Sequence, residues 1–175
     1  MGEIRPMETA CLLIGVLCRE DEVLTSYMKN IREFGQPEII SPCIHFDFTE
    51  YYTPTMGAPL SRRFYLFPPG FQPETLPDIK IRTNEIEKEA ARTLDLGVER
   101  PVNLDPGYLT LSKLVLASTK DHSHRIYLRD GIFAEITLYY RAKTFSPGPY
   151  TFPDYASETY IRFFNGIRNK LLRKR

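Results

Sequence analysis

The spacing of hydrophobic positions changes several times along the chain, and each change marks an element. Residues 11–18 (CLLIGVLC) are apolar without a break, the pattern of a strand covered on both faces. The charged residues 19–22 then suit the first turn of a helix. Val23, Leu24, Tyr27, Met28, Ile31 and Phe34 recur at helical spacing until Gly35 and Pro37 end the run. Ile40, Ile44, Phe46 and Phe48 predict a second strand over 38–48, with Pro42 marking a bulge or an edge. Residues 50–61 predict a packed loop, and 62–68 a third strand ending at Pro68-Pro69-Gly70. Leu76, Ile79, Ile86, Ala90 and Leu94 line one face of a second helix that Gly97 closes.

A short fourth strand is predicted over 99–104. Asp105-Pro106 then resembles an N-cap followed by proline, which predicts a helix over 107–118. The alternation in Leu109-Thr110-Leu111 and Leu114-Val115-Leu116 also fits a strand, so both readings stand. Asp130-Gly131 between 124–128 and 132–141 predicts a hairpin. Residues 145–153, rich in proline and glycine, predict a stiff irregular connector. Asp154 is placed to cap a last helix carrying Tyr160, Phe163, Phe164, Ile167 and Leu171. The first four strands and two helices come in the order βαββαβ. The expected class is therefore α+β, with a ferredoxin-like core (antiparallel sheet, helices on one face) extended by a helix, a β-hairpin and a C-terminal helix.

Composition narrows the function classes. At 175 residues, 42% hydrophobic and 26% charged, the chain suits one globular domain over residues 1–175. A net charge of +1 supplies no field that would draw in a polyanion, so RNA binding would need a local patch. Cys11, Cys18 and Cys43 show neither paired spacing nor C-x-x-C, which predicts a reducing, cytoplasmic setting. The apolar run at 10–18 is too short to span a bilayer, so no membrane association is expected.

Several phrases carry a resemblance: His45-Phe46-Asp47-Phe48-Thr49-Glu50-Tyr51-Tyr52, Thr83-Asn84-Glu85, Asn103-Leu104-Asp105-Pro106-Gly107-Tyr108 and Ala117-Ser118-Thr119-Lys120-Asp121. His124-Arg125-Ile126-Tyr127-Leu128, Pro153-Asp154-Tyr155 and Tyr160-Ile161-x-Phe163-Phe164-Asn165 extend it over nearly the whole chain. Together they resemble the bacterial domain-of-unknown-function family 4416, whose members are sometimes labelled loosely as GTP-binding. The resemblance implies no catalytic residues. The chain has no G-x-x-x-x-G-K-[ST] run to cradle phosphates, and Thr119-Lys120-Asp121 lacks the residue that a Lys-x-Asp guanine motif places between lysine and aspartate.

Candidate chemistry concentrates in a few places. His45 and Asp47 share one face of a strand, where the carboxylate could orient the imidazole as a base; His124 is a further catalytic candidate. His122 and His124 alternate likewise and are metal-ligand types, against the alternative of a polar turn entering a strand. Arg62, Arg63, Lys120 and Arg125 could line an anion pocket, with Asn103 and Asp105 at a strand end beside them. Glu135 lies among apolar neighbours, where burial would make it a functional candidate. Tyr51, Tyr52, Tyr139 and Tyr140 offer either core packing or surfaces on which a base could stack. The expected function is binding of a small phosphorylated or nucleotide-like anion between the 45–63 region and the 103–125 segment, with hydrolase or transferase chemistry a further step. Alternatives are an RNA- or ribonucleoprotein-binding module, and a protein-interaction domain using segments 50–60 and 145–155. No residue set specifies a reaction, a cofactor or an oligomeric state.

Overall fold

The structure is a computed structural model that describes residues 2–4, 7, 9–19 and 28–173. Its strands are β1 (Ala10–Cys18), β2 (Ile39–Ile40), β3 (Ile44–Phe46), β4 (Leu60–Phe71), β5 (Val102–Leu109), β6 (Lys113–Ser118), β7 (Ile126–Arg129), β8 (Ile132–Arg141) and β9 (Thr144–Pro147). The α-helices among the described residues are α1 (Thr53–Met56), α2 (Leu76–Thr93) and α3 (Glu158–Arg173). All nine strands join one sheet in the order β2-β4-β1-β5-β6-β8-β7, with β3 also on β4 and β9 also on β8. Every pairing is antiparallel.

The unbroken apolar run of β1 is explained by layers on both sides. Leu12, Ile14 and Val16 pack with Ile86 and Ala90 of α2. Cys11 and Leu13 pack with Phe64, Leu66 and the α3 residues Tyr160, Phe164 and Ile167. A strand at the centre of such a sheet has no solvent face, so polar residues find no place on it. Among the described residues no helix is long and apolar enough to cross a membrane.

Several expectations are corrected. Residues 107–118 are not helical: they are the end of β5, a tight turn and β6. Asp105 and Pro106 lie inside β5. Proline is tolerated there because β6 begins pairing only at Gly107↔Leu116, and Pro106 points its missing N–H to the unpaired side. Two residues earlier, on the same side of the strand, Leu104 has its N–H bonded to Glu87 Oε1 at 2.7 Å and its carbonyl to Lys80 Nζ at 3.0 Å. Side chains of α2 thus substitute for a neighbouring strand. Gly107 permits the crossing, since a Cβ there would lie 2.2 Å from the Val115 carbonyl oxygen.

The predicted second strand is split into β2 and β3 by residues 41–43, and the third runs through Pro68-Pro69-Gly70 to Phe71 where the β1 pairing is irregular. The predicted connector holds β9, which pairs with the outer end of β8. Asp154 does not cap α3; Ser157 does, accepting the Tyr160 N–H at 3.3 Å. Half of the helix expected after β1 falls on 20–27, outside the described residues, and Met28–Phe34 form a 3-10 helix. The 130–131 turn agrees with its sequence: Asp130 and Gly131 both adopt positive φ, as a tight two-residue hairpin requires.

Candidate functional site

Two clusters of chemically capable side chains emerge, one buried and one lining a pocket. The buried cluster forms where β4, β1 and β5 lie side by side. Pairing Leu17 with both Arg62 and Asn103, and Gly15 with Phe64 and Asp105, sets all these residues on the α3 face. Arg62, only 2% exposed, donates through Nη1 to Asp105 Oδ2 at 2.6 Å and has Nη2 3.6 Å from Asp154 Oδ2. Asn103 Nδ2 donates to the same Asp105 oxygen at 2.7 Å. Asn103 Oδ1 in turn accepts from Arg100, whose Nη2 also reaches Glu87 at 2.7 Å. Gly15 leaves room for this guanidinium: a Cβ there would be 3.3 Å from both Arg62 Nη1 and the Tyr155 hydroxyl.

The two carboxylates that share Arg62 are pushed in opposite directions. Burial would raise Asp105, but Arg62 and Lys80, with the hydrogen bonds from Arg62 and Asn103, outweigh it and hold the carboxyl below its usual range. Asp154 is raised, because burial exceeds what Arg62 returns. Glu87 is also raised by burial, against the pull of Lys80 and Arg100. Burial, then the nearby Asp105 charge, pushes the Tyr52 phenol up to about 12. Tyr155 and Tyr160 have buried hydroxyls without a hydrogen-bond partner in the described protein. The arrangement is a fixed ion network with one carboxylate held charged and another biased towards its proton.

The second cluster lies along the outer edge of β8. β7 covers that edge at Ile132–Ala134 and β9 at Leu138–Arg141, leaving a gap at Glu135. Here Glu135, 5% exposed, takes two bonds on Oε2: Arg125 Nε at 2.7 Å and His124 Nε2 at 2.9 Å. Arg125 is held further by Ser118 Oγ at 2.7 Å and the Lys120 carbonyl at 3.0 Å. The His124 ring stacks on Tyr150 with centroids 4.4 Å apart and planes 5° from parallel. Beside this group opens a pocket of about 300 Å³. Tyr108, Val115, Ile126, Ile136 and Tyr139 supply much of its wall; Lys113, His124 and Glu135 are its ionisable groups apart from tyrosines. The absence of a side chain at Gly148 lets Tyr139 close in, since a Cβ would sit 2.8 Å from that ring.

The residues singled out from sequence therefore divide. Arg62, Asn103 and Asp105 meet directly, and His124 and Arg125 meet on Glu135. Lys120 leans towards the first group: its ammonium lies 5.3 Å over the Tyr51 ring, and Tyr51 packs edge-on against Tyr52 at 5.1 Å. Arg63 points to the opposite face, beside Cys43 and Tyr65. His45 and Asp47 form a pair at 4.0 Å on open surface, 66% and 74% exposed. His122 is exposed, its ring 5.9 Å from that of His124. Among the described residues no group of three or more His, Cys, Asp or Glu side chains is placed to hold a metal ion.

Sequence reasoning passed over Lys80, Glu87, Arg100, Lys113 and Tyr150, and read Asp154 only as a helix cap. A signal existed for two of them. Lys80, Thr83 and Glu87 follow Leu76 by four, seven and eleven residues, so they interrupt the buried stripe of α2, and all three are buried.

The model of the family described as "Domain of unknown function (DUF4416)" matches residues 8–171. No curated protein and no solved structure matches the chain. The match takes in both clusters, every strand and nearly all of α3, and the chain belongs to the DUF4416 family.

Proposed function

We propose that this protein binds a small phosphorylated or nucleotide-like anion, and that the β8-edge pocket is where it does so. The observation that carries the reading is the pocket itself. Its volume of about 300 Å³ suits a small ligand, its walls are largely aromatic and aliphatic, and Lys113, His124 and Glu135 are among its lining. Lys113 supplies a donor for an anionic head, while Tyr108 and Tyr139 offer flat apolar surface to the rest. This places the ligand further along the sheet than the 45–63 and 103–125 segments alone suggest. A thermal-shift and calorimetry panel of inorganic phosphate, ribose 5-phosphate, AMP and GTP tests it. Binding of at least one, weakened about tenfold or more in Lys113→Ala, is expected; no response from any of them refutes the reading.

The same proposal includes a cytosolic setting, in keeping with three cysteines that no disulfide joins. It also includes a ferredoxin-like core. The antiparallel order of β2, β4, β1 and β5, with α2 between β4 and β5 in the chain, supports that reading. A protein-interaction role is the second reading, favoured by Tyr51, Tyr150 and Phe152, which are 66%, 59% and 45% exposed on the two segments concerned. Nuclease-insensitive capture of one defined partner, lost on Tyr150→Ser, would support it over the first.

A further inference from the structure

We propose that His124 is the proton acceptor of the β8-edge pocket, acting through Nδ1, and that the ligand class it serves is a phosphate monoester undergoing hydrolysis. This rests on the reading that the pocket takes a phosphorylated ligand. Glu135 fixes the tautomer. Its Oε2 accepts from the Arg125 guanidinium at 2.7 Å, and Arg125 is fixed in turn by Ser118 and the Lys120 carbonyl. A carboxylate so paired is an acceptor only. His124 Nε2, 2.9 Å from that same oxygen, must therefore carry a hydrogen. A neutral imidazole carries one hydrogen, so its second nitrogen, Nδ1, is left with a free lone pair.

Nothing in the described protein uses that lone pair. Nδ1 makes no hydrogen bond, and it is not among the buried polar atoms that lack one, so it is accessible to solvent on a ring that lines the pocket. The ring is held in place by the bond to Glu135 and by the parallel stack on Tyr150. Glu135 is thus a positioning residue: it sets the tautomer and favours the imidazolium that forms when Nδ1 takes a proton. Lys113, which also lines the pocket, supplies positive charge to a bound phosphorylated ligand.

The step balances without a further reactant. Water attacks phosphorus as Nδ1 removes its proton; the bond from phosphorus to the ester oxygen breaks; the departing alkoxide takes the proton back from Nδ1. The products are an alcohol and inorganic phosphate, and His124 returns to its starting tautomer.

The chain has three histidines, His45, His122 and His124, so long-range 15N–1H correlation spectra resolve each ring. The expected spectrum shows His124 as the Nε2–H tautomer in the full-length protein. It shifts towards a mixture in Glu135→Gln, whose amide can donate to Nε2 as well as accept, while His45 and His122 do not move. Release of phosphate from p-nitrophenyl phosphate is the second readout. A loss of about 100-fold or more in kcat is expected for His124→Ala, and in Glu135→Gln a lower kcat with KM retained. An Nδ1–H tautomer in the unaltered protein overturns the proposal even if Glu135→Gln fails to fold, and so does phosphate release no faster than the buffer blank. The correct tautomer with turnover, but with none of the four panel compounds bound, would leave the proton-acceptor assignment standing while the proposed binding of a small nucleotide-like anion fails.

Discussion

Replacing Arg62 by methionine separates charge from packing in the buried network. Methionine retains much of the apolar stem that fills the space beside Gly15 and Phe46, but it strands two carboxylates. Breaking a buried ion pair by removing one partner costs about 3–5 kcal/mol. Two features move the expected loss to the lower end of that range: the Asp105 side chain keeps 26% exposure and its bond from Asn103, whereas Asp154, at 8%, has backbone hydrogen bonds and its own protonation as relief. The expected loss at pH 7 is therefore about 3 kcal/mol, or about 6–12 °C in Tm for a chain of this length. Its pH dependence follows from Asp105. In the wild type this carboxyl is held below its usual value, so it adds stability above the unfolded pKa of about 3.9, and that stability is lost as pH falls through the folded value. The variant lacks the cation that creates this term, so its deficit shrinks as acid protonates the stranded pair. Asp154, raised already, acts in the opposite sense, gaining stability as pH falls through its folded value. Urea denaturation at pH 7 and at about pH 3 measures both effects. Adding Asp105→Asn and Asp154→Asn to Arg62→Met should restore most of the loss at pH 7. A deficit below about 1 kcal/mol, one equal at the two pH values, or one that the added changes leave untouched would refute the electrostatic account.

Three further outcomes follow from the same contacts. Gly107→Ala drives a methyl group into the Val115 carbonyl, so the β5–β6 hairpin must part; a loss of about 3 kcal/mol or more is expected, with faster amide exchange from 107 to 116, and a neutral effect would deny the close crossing. Glu87→Ala leaves the Leu104 N–H without its acceptor and Arg100 without its carboxylate, costing about 1–3 kcal/mol; unchanged exchange at the Leu104 amide would contradict the bond. Spectrophotometric titration should find one phenol, absent in Tyr52→Phe, that ionises only at about pH 12; ionisation of Tyr52 near the ordinary tyrosine value would show that the aromatic loop does not bury it.

Sequence reading and structure part company where a local signal has a nonlocal explanation. Aspartate followed by proline is a sound helix start when the aspartate has backbone donors to cap. Here the aspartate instead meets Arg62, forty-three residues away in the chain, and the proline falls where a strand has no neighbour. Nothing within ten residues of Asp105 reports either circumstance. By contrast β1, α2 and the 130–131 hairpin were legible because their determinants are local: an unbroken apolar run, a helical stripe, and two residues able to take positive φ. The same division explains the candidate sites. Alternation correctly put His45 and Asp47 on one face but could not say that the face is solvent, because β3 reaches only three residues along the edge of β4. His124, Glu135 and Tyr150 converge because β7 and β9 each cover part of one edge of β8, and that gap is a property of pairing register rather than of any segment. Thr151 reinforces it: its hydroxyl donates to the Thr137 carbonyl at 2.6 Å and accepts the Gly148 N–H at 2.8 Å, tying the strap that carries Tyr150 to the stretch of β8 left between β7 and β9. A pocket built this way depends on the strap staying docked. Thr151→Val, which keeps the shape and removes both bonds, should therefore loosen the Tyr150–His124 stack while leaving the Glu135–His124 bond in place. In histidine spectra the Nε2–H tautomer of His124 would persist as its ring-current shift from Tyr150 collapses. Loss of the tautomer together with the stack would mean that the strap, and not Glu135, orients the imidazole.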